Sequence, residues 1–193
     1  MESIEGKNFK EEDFSKSNLS ARSFDKCTFV ECDFSTCNLA DSQFIDCKFQ
    51  RCNLSNTKIA NCSFRDVIFD RCKMMGLLFY QINDFILSWE FNQCSIKLCT
   101  FSDKKFKKSK FIECDILECD FVDTDFTESD FSKCNLEKSK FQNTDLSKCN
   151  FVGATNYMID VNINKLKKTK FSLPEAISLL KGFDIEIKEE SED

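Results

Sequence analysis

Thirteen cysteines give this 193-residue chain most of its capacity for chemistry, and the chain contains no histidine. Cysteine thiolates bind soft metals and act as nucleophiles or redox groups. Without histidine, the sequence excludes histidine-dependent catalytic triads and histidine-ligated zinc sites. It also has no C-x-x-C pair, no glycine-rich phosphate loop and no nucleophile elbow. We therefore expect a protein that is not an enzyme and that holds no cofactor and no metal.

The cysteines follow a repeat of five residues. A large apolar residue recurs at every fifth position, fifteen times from Phe9 to Phe79 and thirteen times from Phe91 to Phe151. All thirteen cysteines lie two residues before one of these apolar centres, in a slot that serine or threonine fills in other repeats. A slot shared with small hydroxyl residues predicts buried, structural free thiols. Thiols stacked about 4.8 Å apart would also exceed the Cβ separation of about 3.8 Å that disulfides prefer.

A period of five residues excludes both a helix and a straight strand. On a helix, successive centres would be rotated by roughly 140° and would spread around its circumference. On a strand, a step of five would place successive centres on opposite faces. The chain must therefore turn once in each repeat and wind into a coil. The aliphatic centres Leu19, Leu39 and Ile59 lie twenty residues apart, which indicates four repeats per coil. We predict a square-sectioned parallel β-helix of about seven coils, about 34 Å tall.

The repeats resemble those of the pentapeptide-repeat family. Its pattern is a small residue, then Asp or Asn, then Leu or Phe, then two polar residues, as in the segments Cys32–Thr36, Ser129–Lys133 and Thr144–Lys148. The resemblance extends from Lys7 to about Gly153. It implies an all-β fold, a right-handed quadrilateral parallel β-helix.

The repeat divides the chain into a β-helix over residues 1–153 and a C-terminal region over residues 154–193. The β-helix has a register break at about residues 80–90, because Phe79 and Phe91 are twelve residues apart rather than ten. The register alone does not place the two inserted residues. Counted from the repeats after the break, Trp89 is at the position of a small residue; counted from those before it, Trp89 is an apolar centre. We expect a structural joint with a bulge or kink here. A binding loop is the alternative.

The C-terminal region combines three predicted elements. Val161, Leu166 and Phe171 keep the spacing of five and predict one degenerate final coil. A short helix follows, with a capping box over Ser172–Glu175 and an end at Gly182. The alternation of apolar and charged residues over 183–187 predicts a half-buried strand, and residues 189–193 predict a solvated acidic tail.

Two roles fit the apolar residues of this helix and strand. They could cover the open end of the β-helix, or they could pair with a second copy, as in relatives that dimerise through their C-terminal elements. Both interpretations stand at this stage. The residues are Leu173, Ile177, Leu180, Phe183, Ile185 and Ile187.

Charge is the informative feature of the surface, and the net charge is −6. Eight acidic residues without an intervening base form what we call the acidic belt: Glu113, Asp115, Glu118, Asp120, Asp123, Asp125, Glu128 and Asp130. Two lysine groups accompany it, the first being Lys104, Lys105, Lys107, Lys108 and Lys110, and the second Lys165, Lys167, Lys168 and Lys170. Outward positions of any β-helix must be solvated, and neighbouring opposite charges compensate one another. The other interpretation is that the belt binds a partner.

The opening repeats resemble those of the quinolone-resistance pentapeptide proteins, especially over Glu12–Ser15, Cys27–Phe29 and Cys32–Ser35. This resemblance implies DNA gyrase or topoisomerase IV as the partner, bound by an acidic rod similar to duplex DNA, without direct contact between this chain and nucleic acid. B-DNA carries roughly 20 charges over 34 Å, so a net charge of −6 allows only a patch of mimicry. A general interaction scaffold and an immunity factor for an unrelated target remain the alternatives.

The sequence also predicts a compartment. Its first residues have no apolar run typical of a signal peptide, and no segment approaches the roughly 18 apolar residues of a membrane span. Thirteen unpaired cysteines suit a reducing environment. We expect a cytoplasmic bacterial protein with no membrane partner.

Overall fold

The computed structural model describes residues 2–85, 87–183, 185–186 and 188. Its strands pair in parallel, and each residue pairs with one twenty positions further along the chain over most of the fold. The predicted right-handed quadrilateral parallel β-helix is confirmed. It has about eight turns rather than seven, because Ile4 pairs with Phe24 before the first predicted centre and Phe171 pairs with Phe151 after the last.

The strands are short, and each forms one side of a coil. They are β1 Glu2–Glu5, β2 Asn8–Lys10, β3 Arg22–Asp25, β4 Thr28–Val30, β5 Gln43–Ile45, β6 Lys48–Gln50, β7 Ser63–Arg65, β8 Val67–Asp70, β9 Lys73–Met75, β10 Trp89–Asn92, β11 Ser95–Lys97, β12 Lys110–Ile112, β13 Asp115–Leu117, β14 Asp120–Val122, β15 Lys140–Gln142, β16 Asn150–Phe151, β17 Met158–Ile159 and β18 Lys170–Phe171. Two 3-10 helices lie within the described residues, Phe79–Gln81 and Glu175–Gly182.

The apolar centres stack in four columns, one behind each face. Face A covers the column of Ile4, Phe24, Phe44, Phe64, Phe106, Phe126, Leu146 and Leu166. Face B covers Phe9, Phe29, Phe49, Phe69, Phe91, Phe111, Phe131, Phe151 and Phe171. Face C covers Phe14, Phe34, Leu54, Met74, Ile96, Ile116 and Leu136. Face D covers Leu19, Leu39, Ile59, Phe79, Phe101, Phe121, Phe141 and Ile159.

The column behind face B consists entirely of phenylalanine. Its successive rings stack nearly parallel at centroid separations of 4.7 to 5.3 Å, set by the spacing of the coils. Rings of adjacent columns meet edge to face, as Phe29 and Phe34 do at 5.3 Å. Aromatic packing therefore fills the interior along the whole rod.

The corners depend on left-handed backbone conformations at non-glycine residues. In the described part of the chain, twenty-six such residues have φ between 49° and 66°, one in nearly every repeat. The corner N–H groups stay in the hydrogen-bond ladder, since that of Glu31 donates to the carbonyl of Gln50 at 2.8 Å. The bond to the next coil offsets the cost of about 1 kcal/mol that each left-handed residue carries. Corners therefore do not need glycine, which explains how four glycines suffice.

The structure locates the register break between Asn83 and Trp89. The N–H of Asn83 donates to Cys62 at the spacing of the earlier coils, whereas Trp89 pairs with Val67, two residues further on than that spacing. The backbone of Trp89 occupies the position that a small residue holds in other repeats. Its indole lies between the rings of Phe64 and Phe106, at centroid separations of 6.0 Å and 5.3 Å. Trp89 thus fills the gap in the column behind face A. The columns continue through the break.

The last coil differs from the prediction. Ile159, not Val161, pairs with Phe141 and is buried, because two residues are missing from the coil before this point. Leu166 and Phe171 pack against the core as expected.

The predicted capping box does not form. The hydroxyl of Ser172 accepts the N–H of Gly153 at 2.9 Å, and the carboxylate of Glu175 accepts the N–H of Asn156 at 2.7 Å. The last coil thus uses both polar side chains, and the 3-10 helix has no side-chain cap. Among the described residues after Gly182 there is no strand, and Phe183 and Ile185 are exposed. The predicted half-buried strand is wrong for these residues, and Ile187 and the acidic tail lie outside the described residues.

Candidate interaction surfaces

The thirteen cysteines are all free and at most 1% exposed. Their thiols donate to backbone carbonyls, as Cys62 does to Leu39 at 2.7 Å and Cys149 to Phe126 at 3.0 Å. Burial raises the pKa of Cys37 to about 11, and burial raises the pKa values of Cys47, Cys62 and Cys149 to about 12. These four thiols are therefore protonated at neutral pH, and the prediction of buried free thiols is confirmed.

Serine and threonine make the same contacts where they replace cysteine. Thr57 donates to the carbonyl of Phe34 and Ser139 to that of Ile116, both at 2.8 Å and both 23 residues back, as Cys62 does. Cysteine is thus one of three interchangeable small donors. Across residues 2–85 and 87–183, no group of three or more His, Cys, Asp or Glu side chains could hold a metal ion.

The acidic belt runs around the rod. Glu113, Glu118, Asp123 and Glu128 occupy four successive corners with positive φ, while the other four residues directly precede buried centres. One coil has four sides, so the eight carboxylates are distributed over all of them. The belt is a ring, whereas the phosphates of a duplex run along its axis.

Lysines from neighbouring coils neutralise half of the belt. Glu113 pairs with Lys133 at 2.9 Å, Asp120 with Lys140 at 3.7 Å and Asp125 with Lys107 at 3.1 Å. Glu128 contacts two lysines, Lys148 at 2.7 Å and Lys108 at 3.9 Å. Hydrogen bonds from Lys133 and Lys148 lower the pKa values of Glu113 and Glu128. Signs are therefore interleaved around this coil.

The remaining belt residues have different surroundings. Asp130 accepts the N–H of Ser132 at 2.8 Å and the side-chain amide of Asn150 at 3.1 Å. Asp115, Glu118 and Asp123 form no ion pair within the described part of the chain. These three carboxylates, and that of Asp130, which also has no ion pair among the described residues, are available to a cationic partner.

A second surface lies at the register break, where the sequence left a binding loop as the alternative to a structural joint. Phe85 is 77% exposed, Leu98 54%, Tyr80 41% and Leu78 38%. We call these four residues the apolar collar. Apolar residues at outward positions of the repeat are the signal that would have revealed them. Leu98 also occupies a corner with φ of 53°, which is strained for a bulky side chain.

The apolar residues proposed for a cap or a dimer face outward. Leu173 is 78% exposed, Ile185 56%, Phe183 47%, Ile177 46% and Leu180 40%. Leu179 packs against the core in their place. The 3-10 helix therefore contacts the coil end through a different face from the predicted one.

These features define a class of protein, a solenoid with a filled interior and a continuous outer surface. The chain belongs to the pentapeptide-repeat family, whose model for a pentapeptide repeat region matches residues 4–79 and 86–171. The gap in this match coincides with the register break.

Solved structures share this fold. A trypsin-treated variant of QnrB1, a plasmid-mediated fluoroquinolone resistance protein, is 16% identical, with a TM-score of 0.80 over 97% of this chain and 99% of that chain. A second such variant is 18% identical, with a TM-score of 0.63 over 96% of this chain and 100% of that one. HetL, a pentapeptide repeat protein involved in heterocyst differentiation regulation from the cyanobacterium Nostoc, is 9% identical, with a TM-score of 0.52 over 87% of this chain and 84% of that one. No curated protein matches the sequence.

One further property bears on the membrane. Within the described residues, neither 3-10 helix has the length and apolar character needed to cross a bilayer.

Proposed function

We propose that this chain is a non-enzymatic binding protein whose rigid rod presents fixed surfaces to a protein partner. The observation that carries this proposal is the continuous core, with aromatic columns passing through every coil and through the register break. Such a rod binds without reorganising, so association costs little conformational entropy. Free thiols at thirteen positions support a site of action in the bacterial cytoplasm.

The partner we propose is DNA gyrase or topoisomerase IV. Two points support this choice: the resemblance of the opening repeats to quinolone-resistance pentapeptide proteins, and the full-length similarity in fold to a fluoroquinolone resistance protein. In this proposal the acidic belt contacts a basic, DNA-binding surface of the enzyme. Asp115, Glu118 and Asp123 bind first, and lysines of the enzyme then displace the intramolecular partners of the other carboxylates. Each displaced surface pair is worth at most about 1 kcal/mol.

The ring geometry sets the scale of this contact. The carboxylates of the acidic belt lie around a single coil, and the coils on either side carry lysines. The interaction we propose is therefore a local patch contact, weakened by salt because its charges are exposed. It does not require mimicry of a long duplex.

A supercoiling assay tests the proposal. Purified gyrase is combined with a quinolone, relaxed plasmid and increasing amounts of this protein. We expect recovery of supercoiling at micromolar protein, and loss of that recovery in the triple variant Asp120→Asn, Asp123→Asn, Asp125→Asn. The matched control changes Asp41, Asp46 and Asp66 to Asn, three corner residues with positive φ in other coils. Neither inhibition nor recovery with the wild-type chain would remove the topoisomerase proposal.

A second candidate role is a scaffold or immunity factor for an unrelated protein, and the apolar collar favours it. Exposed apolar side chains such as Phe85, Tyr80 and Leu98 can be buried by a protein partner, and tyrosine is enriched among the residues that supply binding energy at protein interfaces. A partner captured in pull-downs by the wild-type chain and the belt variant, but not by Phe85→Ser, would support this role.

We also propose that the chain forms a homodimer through its C-terminal element. Its five exposed apolar residues between Leu173 and Ile185 lie at one end of the rod, where a second copy would cover them.

A further inference from the structure

The two lysine groups occupy matching positions on the same edge of the rod. Lys105, Asp125, Asp145 and Lys165 are successive bridge partners on face A. Lys110, Asp130, Asn150 and Lys170 are successive partners on face B. Lys107 and Lys108 stand in the same relation to Lys167 and Lys168, sixty residues and three coils later. We call these the lower lysine row, Lys105, Lys107, Lys108 and Lys110, and the upper lysine row, Lys165, Lys167, Lys168 and Lys170.

Three coil spacings separate the two rows, which places them about 14 Å apart along the rod. Each row passes around the edge between faces A and B. The side chains of Lys107, Lys108 and Lys110 are 54%, 76% and 59% exposed, and Lys167, Lys168 and Lys170 are exposed as well. The rows therefore extend from a convex edge into solvent.

This edge is positive although the whole chain is negative. Its positions over these four coils carry nine lysines, the eight of the two rows and Lys148, against four carboxylates, Asp125, Glu128, Asp130 and Asp145. Nine minus four leaves an excess of five positive charges. The four carboxylates lie between the rows: Asp125 pairs with Lys107, Glu128 with Lys108 and Lys148, and Asp145 with Lys165. Lys110 of the lower row pairs with Glu90 of the coil before it, at 3.0 Å. In the upper row, Lys167, Lys168 and Lys170 have no ion-pair partner among the described residues.

We propose that this edge binds the backbone of a duplex nucleic acid, with each lysine row facing one phosphate strand. The major groove of B-DNA is about 12 Å wide, close to the separation of the rows, and lysine side chains are long and flexible enough to cover the difference. The carboxylates between the rows face the groove, where cytosine and adenine present amino donors. This inference differs from the sequence expectation of no direct nucleic-acid contact, and it does not depend on the topoisomerase proposal.

The geometry favours a duplex over other anionic partners. An acidic polypeptide supplies one line of charge and would use one row. An anionic membrane is flat on this scale, whereas the rows pass around a corner and have carboxylates between them. Two parallel lines of negative charge at a fixed separation are a property of double-stranded nucleic acid.

Fluorescence anisotropy with a labelled duplex of about 20 base pairs, and no other protein, tests this inference. We expect binding that weakens about 1,000-fold between 50 and 200 mM salt, as six or more phosphate contacts require. The upper-row variant Lys167→Gln, Lys168→Gln, Lys170→Gln should lower affinity at least tenfold and reduce the slope of log K against log salt by about 3. The lower-row variant Lys107→Gln, Lys108→Gln, Lys110→Gln should have a similar effect.

The matched control replaces Lys16, Lys58 and Lys73, exposed lysines on faces C and D, and should leave the binding unchanged. Circular dichroism establishes that each variant is folded. Absence of duplex binding at the lowest salt overturns the inference, as does an equal loss in the control. An effect of one row alone, or equal binding to poly-glutamate or to phosphatidylserine vesicles, also overturns it by identifying a different polyanion. Because gyrase is absent from this assay, its result and that of the supercoiling assay are independent.

Discussion

At the scale of single residues, the inward slots determine what each side chain can do. A cysteine two residues before a centre is buried and donates to a carbonyl, so its sulfur is a packing group. The sequence sufficed for this conclusion, because every cysteine shares its slot with serine or threonine in other repeats. A belt carboxylate has no such constraint. Its partner depends on what lies twenty residues away, which the local sequence does not show.

The buried thiols predict a loss of stability in alkali. Folding raises the pKa values of Cys47, Cys62 and Cys149 to about 12 from an ordinary value of 9.0, so the native state retains protons that the unfolded state releases. The stabilising contribution is complete below pH 9 and is lost as the pH rises towards 12. Urea unfolding between pH 8 and pH 11 should show this decrease, and replacing the three cysteines by serine should make the decrease smaller, with Cys37 still contributing. A pH-independent wild-type protein would contradict the assignment of these thiols.

Phe121 tests the cavity cost within a column. Its ring lies between Phe101, at 5.0 Å, and Phe141, at 4.8 Å, and is fully buried. Phe121→Ala should lower the free energy of unfolding by about 3–5 kcal/mol, measured by urea denaturation. The control Phe85→Ala removes the same side chain from a position that is 77% exposed and should change stability by less than about 0.5 kcal/mol. Similar losses in both variants would contradict the described core.

At the scale of elements, the sequence does not predict the details of the register break or of the C-terminal helix. The period of five predicted the coils, because only one winding places every fifth residue inside. The period of five could not place the two inserted residues. The backbone of Trp89 occupies the position of a small residue, whereas its indole packs in a column of apolar centres. The capping box failed because Ser172 and Glu175 bond to Gly153 and Asn156 of the last coil. A local motif does not reveal competing tertiary partners.

The bond between Trp89 and Ser109 tests the break as a packed joint. The indole N–H donates to the Ser109 hydroxyl at 2.6 Å in a buried setting. A double-mutant cycle with Trp89→Phe and Ser109→Ala should give a coupling energy of about 1 kcal/mol in urea unfolding. A coupling near zero would mean that Trp89 is not seated between Phe64 and Phe106. Its emission in the wild-type protein should be blue-shifted, and since it is the sole tryptophan, the signal reports this joint directly.

At the scale of the whole molecule, stacking converts sequence runs into shapes that the linear order conceals. Eight acids spread over residues 113–130 become a ring because the chain circles the axis once in twenty residues. Two lysine runs sixty residues apart become neighbours on one edge. The sequence identified both sets of residues, but their geometry follows only from the number of residues in each coil and from the continuity of the register between them.

The exposed C-terminal residues predict the oligomeric state. Sedimentation equilibrium should show a dimer, and Leu173→Glu combined with Ile177→Glu should shift it to a monomer, because each copy would bury a charge in the contact. The control Leu98→Glu places the same charge at an exposed corner, a position that Glu118 holds in the next coil. A monomeric wild-type protein, or a dimer that survives the double substitution, would contradict the proposed contact.

The left-handed corners accept many residue types. Since lysine, glutamate, aspartate, asparagine and arginine all adopt the same left-handed turn while their N–H groups bond to the next coil, winding imposes little demand on what the exterior displays. The corner residues of such a rod, one in five, can be substituted while the core residues stay unchanged. Evolution could thereby change the binding partner through a series of variants that all remain folded.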